Sequence, residues 1–230
     1  MSIYRDPGKE RRGQQMVQAR IANKREPAIR RALESSFKAA ADANEKEESI
    51  DAAIRNNSDA IRKSIEHLYS DAYTNFFERT SEAVAQAIGK AMHKDKNDRF
   101  ERALRAFIRR WTARKITQIT SATQYRVRKI IKDGQEEGLT LREIGKEIID
   151  TGARQSAYRA HLIARTETHS ASQAGSVEAA KQSDVVRRKI WLSASDDRVR
   201  DDEYDHNNVE PVGINDKFIV SGEELEAPGD

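Results

Sequence analysis

The feature that most constrains this chain is an apolar period of three to four residues that continues with few interruptions through most of its length. Positions that carry the period include Ile29, Leu33, Phe37, Ile61, Ile65, Leu68, Phe100, Leu104 and Ile108. This spacing indicates amphipathic helices. The 230 residues include only four prolines and eleven glycines, which favours long helices because both residues destabilise helix interiors.

Charged residues make up 34% of the chain and hydrophobic residues 37%. A typical soluble domain has roughly 25% charged residues. The excess of charge suits elongated helices with much solvated surface better than one compact globule.

Interruptions of the apolar period predict where helices end. Polar or glycine-containing segments lie at 44–48, 94–98 and 134–138. Pro27 is expected either in a first helical turn or at a kink, because proline has no amide hydrogen to donate in a helix interior.

Two further signals lie near the middle of the chain. Thr140 and Glu143 have the spacing of a capping box, which predicts a helix start. Thr151-Gly152 is expected to stop that short helix, and another is expected over about 156–182.

The texture changes after the last helical segment. Runs of β-branched and aromatic residues predict short strands near 187–194 and 217–220. We therefore expect a mostly α-helical fold with a small α+β C-terminal domain. The expected division is a flexible arm at 1–15, an elongated helical body at 16–138 and the α+β domain at 139–230.

Several classes of protein are disfavoured by what the chain lacks. It has no cysteine, and therefore no disulfide framework, thiolate metal site or thiol nucleophile. No run approaches the ~18 apolar residues of a membrane helix, and the first residues do not resemble a signal peptide. No phosphate-binding glycine loop, serine-hydrolase elbow or His-Glu zinc motif occurs. We expect no cofactor and no membrane partner.

Charge is distributed unevenly along the chain. Residues 196–230 carry twelve acids and three bases, a net charge of −9, whereas the whole chain has a net charge of +3. Residues 1–195 therefore carry +12. Such a polarised field can select a docking orientation.

The most basic segment is 99–132, with eleven bases and one acid. The bases are Arg99, Arg102, Arg105, Arg109, Arg110, Arg114, Lys115, Arg126, Arg128, Lys129 and Lys132. One interpretation is a surface that binds DNA phosphates without sequence preference and releases their counterions. The other is a solvated face whose charges pair with acids of other helices, such as 45–48. Phe107 and Trp111 fall on the apolar period and are expected to be core anchors.

A later helix carries Arg165 and Glu167 on different faces, so we expect one of them to point into the domain. There it would be paired and would fix the helix against the acidic loop, which we define as 196–206. His161 and His169 are about 12 Å apart along a helix axis at 1.5 Å per residue. They are too far apart to share a metal ion, whose ligand bonds are about 2 Å long.

Six carboxylates crowd into the acidic loop. They belong to Asp196, Asp197, Asp201, Asp202, Glu203 and Asp205. Such a cluster can hold a hard cation or provide an acid and a base. The calcium-loop spacing is absent, however, and nothing marks a nucleophile. We interpret the loop as structural or interfacial, with Arg198 and Arg200 bridging carboxylates, and expect no metal site.

Five motifs in the last third of the chain form a recognisable set. They are Ile163-Ala164-Arg165-Thr166-Glu167, Trp191, Asp197-Arg198-Val199-Arg200, Phe218-Ile219-Val220-Ser221-Gly222 and Pro228-Gly229-Asp230. Over about 139–230 this set resembles the phage Mu F-like head morphogenesis (minor head) proteins. Two features depart from the family pattern. Glu203 stands near the place of a usual histidine, with His206 later, and many members continue past Pro-Gly-Asp into a cysteine-containing end.

The resemblance implies a non-enzymatic minor head protein of a tailed phage or prophage. Such proteins associate in several copies with the portal protein, enter the procapsid and in some cases touch packaged double-stranded DNA. The implied location is the procapsid and virion, after assembly in the host cytoplasm, with the major capsid or scaffold protein as further partners. The motif residues would then serve structure and docking rather than catalysis.

Alternative functions remain open from the sequence. One is a non-specific DNA-binding architectural protein that works through 99–132, and another is a purely structural connector. A third is a toxin-like ADP-ribosyltransferase or nuclease domain, because related domains occur joined to bacterial toxins. Glu224-Leu225-Glu226 gives a Glu-x-Glu pattern, but no upstream Ser-Thr-Ser element accompanies it. We therefore expect no enzymatic activity.

Overall fold

A computed structural model describes residues 7–89, 98–191, 210–220 and 222–226. Within these ranges the helices are α1 (Pro7–Glu45), α2 (Ile50–Asn56), α3 (Ser58–Ile88), α4 (Asp98–Glu136) and α5 (Leu141–Gln182). The strands are β1 (Arg188–Lys189), β2 (Val212–Gly213), β3 (Phe218–Val220) and β4 (Glu223–Leu225). The expectation of a mostly α-helical fold with short strands near the C-terminus is confirmed.

Helix α1 begins earlier than the sequence predicts. It starts at Pro7, whose fixed φ suits a first helical position. Residues 7–15, assigned from the sequence to a flexible arm, are therefore helical. The helix also continues through Pro27, which lies in its interior and not in a first turn.

The polar segment 44–48 forms the turn that the sequence predicts. Helix α1 ends at Glu45, and Glu47 has a left-handed φ of 56°. The side-chain amide of Asn44 donates to the backbone carbonyl of Leu141 at 2.9 Å. This bond ties the end of α1 to the start of α5.

The start of α5 is also as predicted. Glu143 N donates to Thr140 Oγ1 at 3.3 Å, and Thr140 N donates to Glu143 Oε2 at 2.8 Å. These reciprocal bonds form the capping box and satisfy two amides that the first helical turn leaves without partners. They also lower the pKa of the exposed Glu143 carboxyl, because they stabilise its ionised form.

The helix stop expected at Thr151-Gly152 is wrong, because α5 runs without a break from Leu141 to Gln182. A Cβ at Gly152 would lie 2.6 Å from Cβ and Cγ of Phe37. Gly134 is likewise inside α4, where a Cβ would lie 2.8 Å from Ile144 Cγ1. Both glycines allow close helix contacts, and Gly138, with a φ of 74°, follows the end of α4.

The strands form two antiparallel pairs. Strand β1 pairs with β2, with Arg188 opposite Gly213, and β3 pairs with β4, with Phe218 opposite Leu225. Gly222 lies between β3 and β4 with a φ of 81°, a conformation that favours glycine in a tight turn.

The chain divides into two compact units. Unit 1 contains Met1–Gln18, Ser70–Leu104 and Thr168–Asp230, and unit 2 contains Ala19–Tyr69 and Arg105–Glu167. The boundary expected at 138/139 falls in the connection between α4 and α5. Each unit takes segments from both sides of that connection.

The core of unit 2 is formed by side chains of α1, α2, α4 and α5. Its buried members are Phe37, Ala40, Ala41, Ile54, Val127, Ile144 and Ile148. These positions follow the apolar period, so the predicted amphipathic faces are the ones that are buried.

Unit 1 is centred on aromatic contacts. The Phe100 ring lies 4.5 Å from Phe77 and 6.1 Å from Tyr73 between centroids. Gly175 lies against the backbone of Tyr73, where a Cβ would collide with it. Among the described residues, no helix is both long and apolar enough to cross a membrane.

Candidate nucleic-acid interface

Most basic side chains of α4 are exposed. Nine of the eleven bases between 99 and 132 are in contact with solvent over much of their surface, and Lys115 and Arg126 are partly buried. The exposed ones are Arg99, Arg102, Arg105, Arg109, Arg110, Arg114, Arg128, Lys129 and Lys132. The segment therefore presents dense positive charge without an equal number of acids on the same helix.

Four of these bases share one face of α4 within unit 2. Arg110 and Arg128 are eighteen residues apart, as are Arg114 and Lys132. Eighteen residues make five helical turns and about 27 Å of rise, so the members of each pair point in the same direction. We call these four residues the outward stripe. Tyr125 lies on the same side of the helix and is 71% exposed.

Phe107 and Trp111 lie at the edge of the interior rather than deep inside it. The Phe107 ring packs edge-on against buried Tyr69, with centroids 5.3 Å apart. Trp111 lies 6.1 Å from Phe107 and is covered by the guanidinium groups of Arg110 at 5.9 Å and Arg114 at 5.5 Å. Both rings therefore pack against neighbouring side chains of the protein.

Two members of the outward stripe form ion pairs. Arg128 pairs with the half-buried Asp51 of α2, and Lys132 Nζ lies 3.7 Å from Glu136 Oε1. The Lys132–Glu136 pair is exposed on both sides, and such pairs contribute only about 0–1 kcal/mol. A phosphate could therefore replace the Glu136 carboxylate at small cost.

Glu167 is the member of the Arg-Thr-Glu motif that points inward. It is only 3% exposed, whereas Arg165 and Thr166 are exposed. Its Oε1 lies 2.7 Å from Lys115 Nζ, and its Oε2 accepts a hydrogen bond of 2.5 Å from the Tyr69 hydroxyl. We call Tyr69, Lys115 and Glu167 the interior triad, which joins α3, α4 and α5.

The interior triad changes the interpretation of two sequence predictions. The expectation that one of Arg165 and Glu167 is buried and paired is confirmed for Glu167. Its partner is a lysine of α4, however, and the acidic loop lies outside the described residues. The sequence analysis includes Lys115 among the candidate DNA-binding bases. In the structure its ammonium group pairs with Glu167 inside the protein.

Burial and the neighbouring carboxylate raise the pKa of Tyr69 far above its ordinary value. Burial removes solvent from the phenolate, and the charge of Glu167 opposes a second negative charge beside it. Tyr69 is thus fixed as a neutral hydrogen-bond donor to Glu167.

The two histidines of α5 have separate partners. His161 Nδ1 lies 3.0 Å from Glu26 Oε2, and His169 Nδ1 lies 3.5 Å from Gln18 Nε2. Across the described part of the chain, no three His, Asp or Glu side chains are grouped so that they could hold a metal ion.

Two C-terminal motif residues come together in unit 1. Trp191 packs edge-on against Phe218, with centroids 5.4 Å apart and planes at 87°. Lys189 Nζ lies 5.0 Å from the same Phe218 ring. The remaining motif residues lie outside the described residues, namely Asp197, Arg198, Arg200, Pro228, Gly229 and Asp230.

The sequence did not single out Arg159. Its Nη1 donates to Thr123 Oγ1 on α4 at 3.2 Å. One signal for it exists in the sequence, since Tyr125-Arg126 on α4 and Tyr158-Arg159 on α5 repeat the same dipeptide. Arg159 is an isolated base on its helix, so a search for runs of charge does not detect it.

Comparison with known families identifies part of the chain. Residues 125–224 match the family model of phage Mu protein F like protein. The match confirms the resemblance to the Mu F-like head morphogenesis family over this segment. It begins within α4, before the expected start at 139, and ends before Pro228-Gly229-Asp230. No curated protein and no solved structure matches the chain.

Proposed function

We propose, on the premise of this Mu F-like segment, that the protein is a minor head protein of a tailed phage or prophage. In this proposal several copies associate with the portal protein during capsid assembly, and the exposed basic side chains of α4 contact packaged double-stranded DNA. The match of 125–224 to the family carries the proposal. The major capsid or scaffold protein is a further partner in the procapsid, and the protein acts by binding rather than by catalysis.

Arg165 is our candidate for the portal contact. The interior triad fixes the helix turn that carries the motif, because Glu167 is held from α3 and α4. Arg165, two residues earlier, is exposed on that fixed turn. A rigid, exposed guanidinium is suited to bind a carboxylate of a partner surface.

Co-expression with the portal protein of the same phage tests this assignment. We expect a complex that co-purifies at low salt and elutes as an assembly larger than the portal alone. Arg165→Glu should abolish co-purification, because it reverses the charge of the contact. Arg142→Glu, another exposed arginine on α5, is the matched control and should leave the complex intact. Failure of the wild-type protein to co-purify would remove the portal proposal.

The salt dependence of binding tests the DNA contact. Each lost phosphate contact should reduce the slope of log Kobs against log salt by about 0.9. We therefore expect Arg114→Gln/Lys132→Gln to lower the slope by about 1.8 on duplex DNA. The control Lys63→Gln/Arg142→Gln removes one lysine and one arginine that are exposed elsewhere in unit 2. Equal slopes for the two variants would show that the outward stripe does not contact phosphates.

A non-specific DNA-binding architectural protein is the second candidate. The nine exposed bases of α4 favour it. Strong duplex binding with a steep salt slope, combined with no portal association, would support this function over the first.

A further inference from the structure

Arg159 of α5 reaches the turn of α4 that precedes Arg126. Arg159 Nη1 on α5 donates to Thr123 Oγ1 at 3.2 Å, and Thr123 is fully buried. Arg126 is three residues after Thr123 and therefore lies beside it, one turn along the same helix face. Arg126 lies on a different side of α4 from the outward stripe, because Arg126 and Arg128 differ by about 200° around the helix axis at 100° per residue.

This pair lacks the counter-charge that buried arginines normally have. Among the described residues, neither arginine forms an ion pair, and Arg126 Nη1 is buried without a hydrogen-bond acceptor. A buried charged donor without an acceptor is unfavourable, because it has lost its hydration and gained no hydrogen bond in return. Nearly all such donors in proteins are satisfied by protein, water or ligand atoms.

The surroundings add further unsatisfied donors. The hydroxyl of Ser156, three residues before Arg159 on α5, is fully buried and has no hydrogen-bond partner. Thr120 Oγ1, three residues before Thr123 on α4, is also buried without a partner. Hydroxyl groups in helices normally bond to a backbone carbonyl one turn earlier, as Thr123 does to Ile119 at 2.9 Å.

The electrostatics of the two arginines also favour a bound anion. Burial, and then the charge of Arg126, lower the pKa of Arg159 to about 10. The guanidinium is still charged at neutral pH, so two positive charges repel each other in a partly dehydrated place. An anion between them would remove this repulsion and accept a hydrogen bond from the unsatisfied Nη1 of Arg126.

We propose that Arg126 and Arg159 form a binding site for a phosphate group, with Thr123 as the residue that orients Arg159. Two guanidinium groups offer planar pairs of donors that match phosphate oxygens, and two cations balance the charge of a phosphate dianion. The paired planar donors and the double positive charge favour a phosphate dianion over a single protein carboxylate.

The site does not depend on the proposed function, because inorganic phosphate can be used as the probe. Calorimetric titration of the full chain with phosphate, in chloride buffer of constant ionic strength, should show saturable binding. Arg126→Gln and Arg159→Gln should each weaken binding at least about tenfold, because each removes a bidentate donor. Arg142→Gln, which removes an exposed arginine of α5, should bind phosphate as the wild type does.

A second readout separates a binding site from a structural pair. Without phosphate, Arg126→Gln should unfold at the same or a higher urea concentration than the wild type, since the variant removes the repulsion. With phosphate, only the wild type and Arg142→Gln should gain stability. Arg126→Lys keeps the charge but loses the planar fork, and it should fold normally and bind phosphate more weakly.

Two further arms identify the source of the phosphate. If a short single-stranded DNA competes with phosphate and its binding also depends on Arg126, the physiological ligand is a nucleic-acid phosphate. If phosphate binds but the oligonucleotide does not compete, the ligand is a free phosphate compound. The proposal is overturned if the wild type does not bind phosphate, if Arg126→Gln binds it equally, or if acetate competes as strongly as phosphate.

Discussion

At the scale of single residues, Glu167 determines how the Arg-Thr-Glu helix is held. We expect Glu167→Gln to destabilise the protein by about 2–3 kcal/mol, because it leaves the Lys115 ammonium without its counter-charge in a largely buried place. Urea unfolding measures this change. Glu147→Gln breaks an exposed pair with Arg154 and should cost less than about 1 kcal/mol. Equal losses in the two variants would show that the interior triad is not a buried ion pair.

Tyr69 gives the interior triad a signature at alkaline pH. The folded protein keeps the Tyr69 proton above pH 10, where an unfolded tyrosine with a pKa of 10.0 loses it. The unfolded state then binds fewer protons, so stability falls as pH rises, by up to about 1.4 kcal/mol per pH unit. We expect Tyr69→Phe to be less stable at pH 7 but to show a shallower fall between pH 10 and 11. The same slope in both proteins would contradict the assigned role.

Residue spacing alone could predict only part of this triad. The helical period places Arg165 and Glu167 on different faces and indicates that one of them is buried. It does not fix the register between α4 and α5, which decides that Lys115 is opposite Glu167. The partner therefore had to come from the structure, as did the neighbours Arg126 and Arg159.

At the scale of elements, glycines inside helices set how closely α1, α4 and α5 approach. We expect Gly152→Ala to destabilise the protein by about 1–3 kcal/mol, because its methyl group would overlap Phe37 in a filled core. This loss would exceed the gain of about 1 kcal/mol in helix propensity. Thermal or urea unfolding measures the balance.

Gly13→Ala is the matched control, since Gly13 lies in α1 with no atom near an added Cβ. It should stabilise the protein by up to about 1 kcal/mol through helix propensity alone. If Gly152→Ala were as stabilising as Gly13→Ala, the close contact with Phe37 would not exist in solution.

Predictions of elements succeeded where local side chains decide the structure and failed where a distant neighbour decides it. The capping box at Thr140 and Glu143 and the turn at 44–48 were predictable, because capping and turn formation depend on local side chains. The stop at Thr151-Gly152 was wrong because a glycine within a helix has two meanings. It can end the helix, or it can admit a neighbouring side chain, and only the position of Phe37 distinguishes them.

At the scale of the whole molecule, the apolar period predicts the α-helical class, and the runs of β-branched and aromatic residues predict the C-terminal strands. It does not predict the two compact units, because α1, α3, α4 and α5 each contribute to both. The sequence marks the connection between α4 and α5 as a boundary, but long-range contacts decide how helices are shared. The distribution of charge along the chain, in contrast, follows from the sequence alone.

The opposite charges of the C-terminal segment 196–230 and of the rest of the chain predict how the protein binds a polyanion such as DNA. Residues 196–230 carry −9 and the remainder +12, so the acidic end should weaken non-specific DNA binding. We expect the variant with Asp196, Asp197, Asp201 and Asp202 changed to Asn to bind duplex DNA several-fold more tightly at low salt. The gain should disappear near 1 M salt, where the screening length is about 3 Å. Equal affinities of the variant and the wild type at low salt would mean that the acidic segment does not weaken DNA binding. Local contacts of the exposed bases on α4 would then determine the affinity alone.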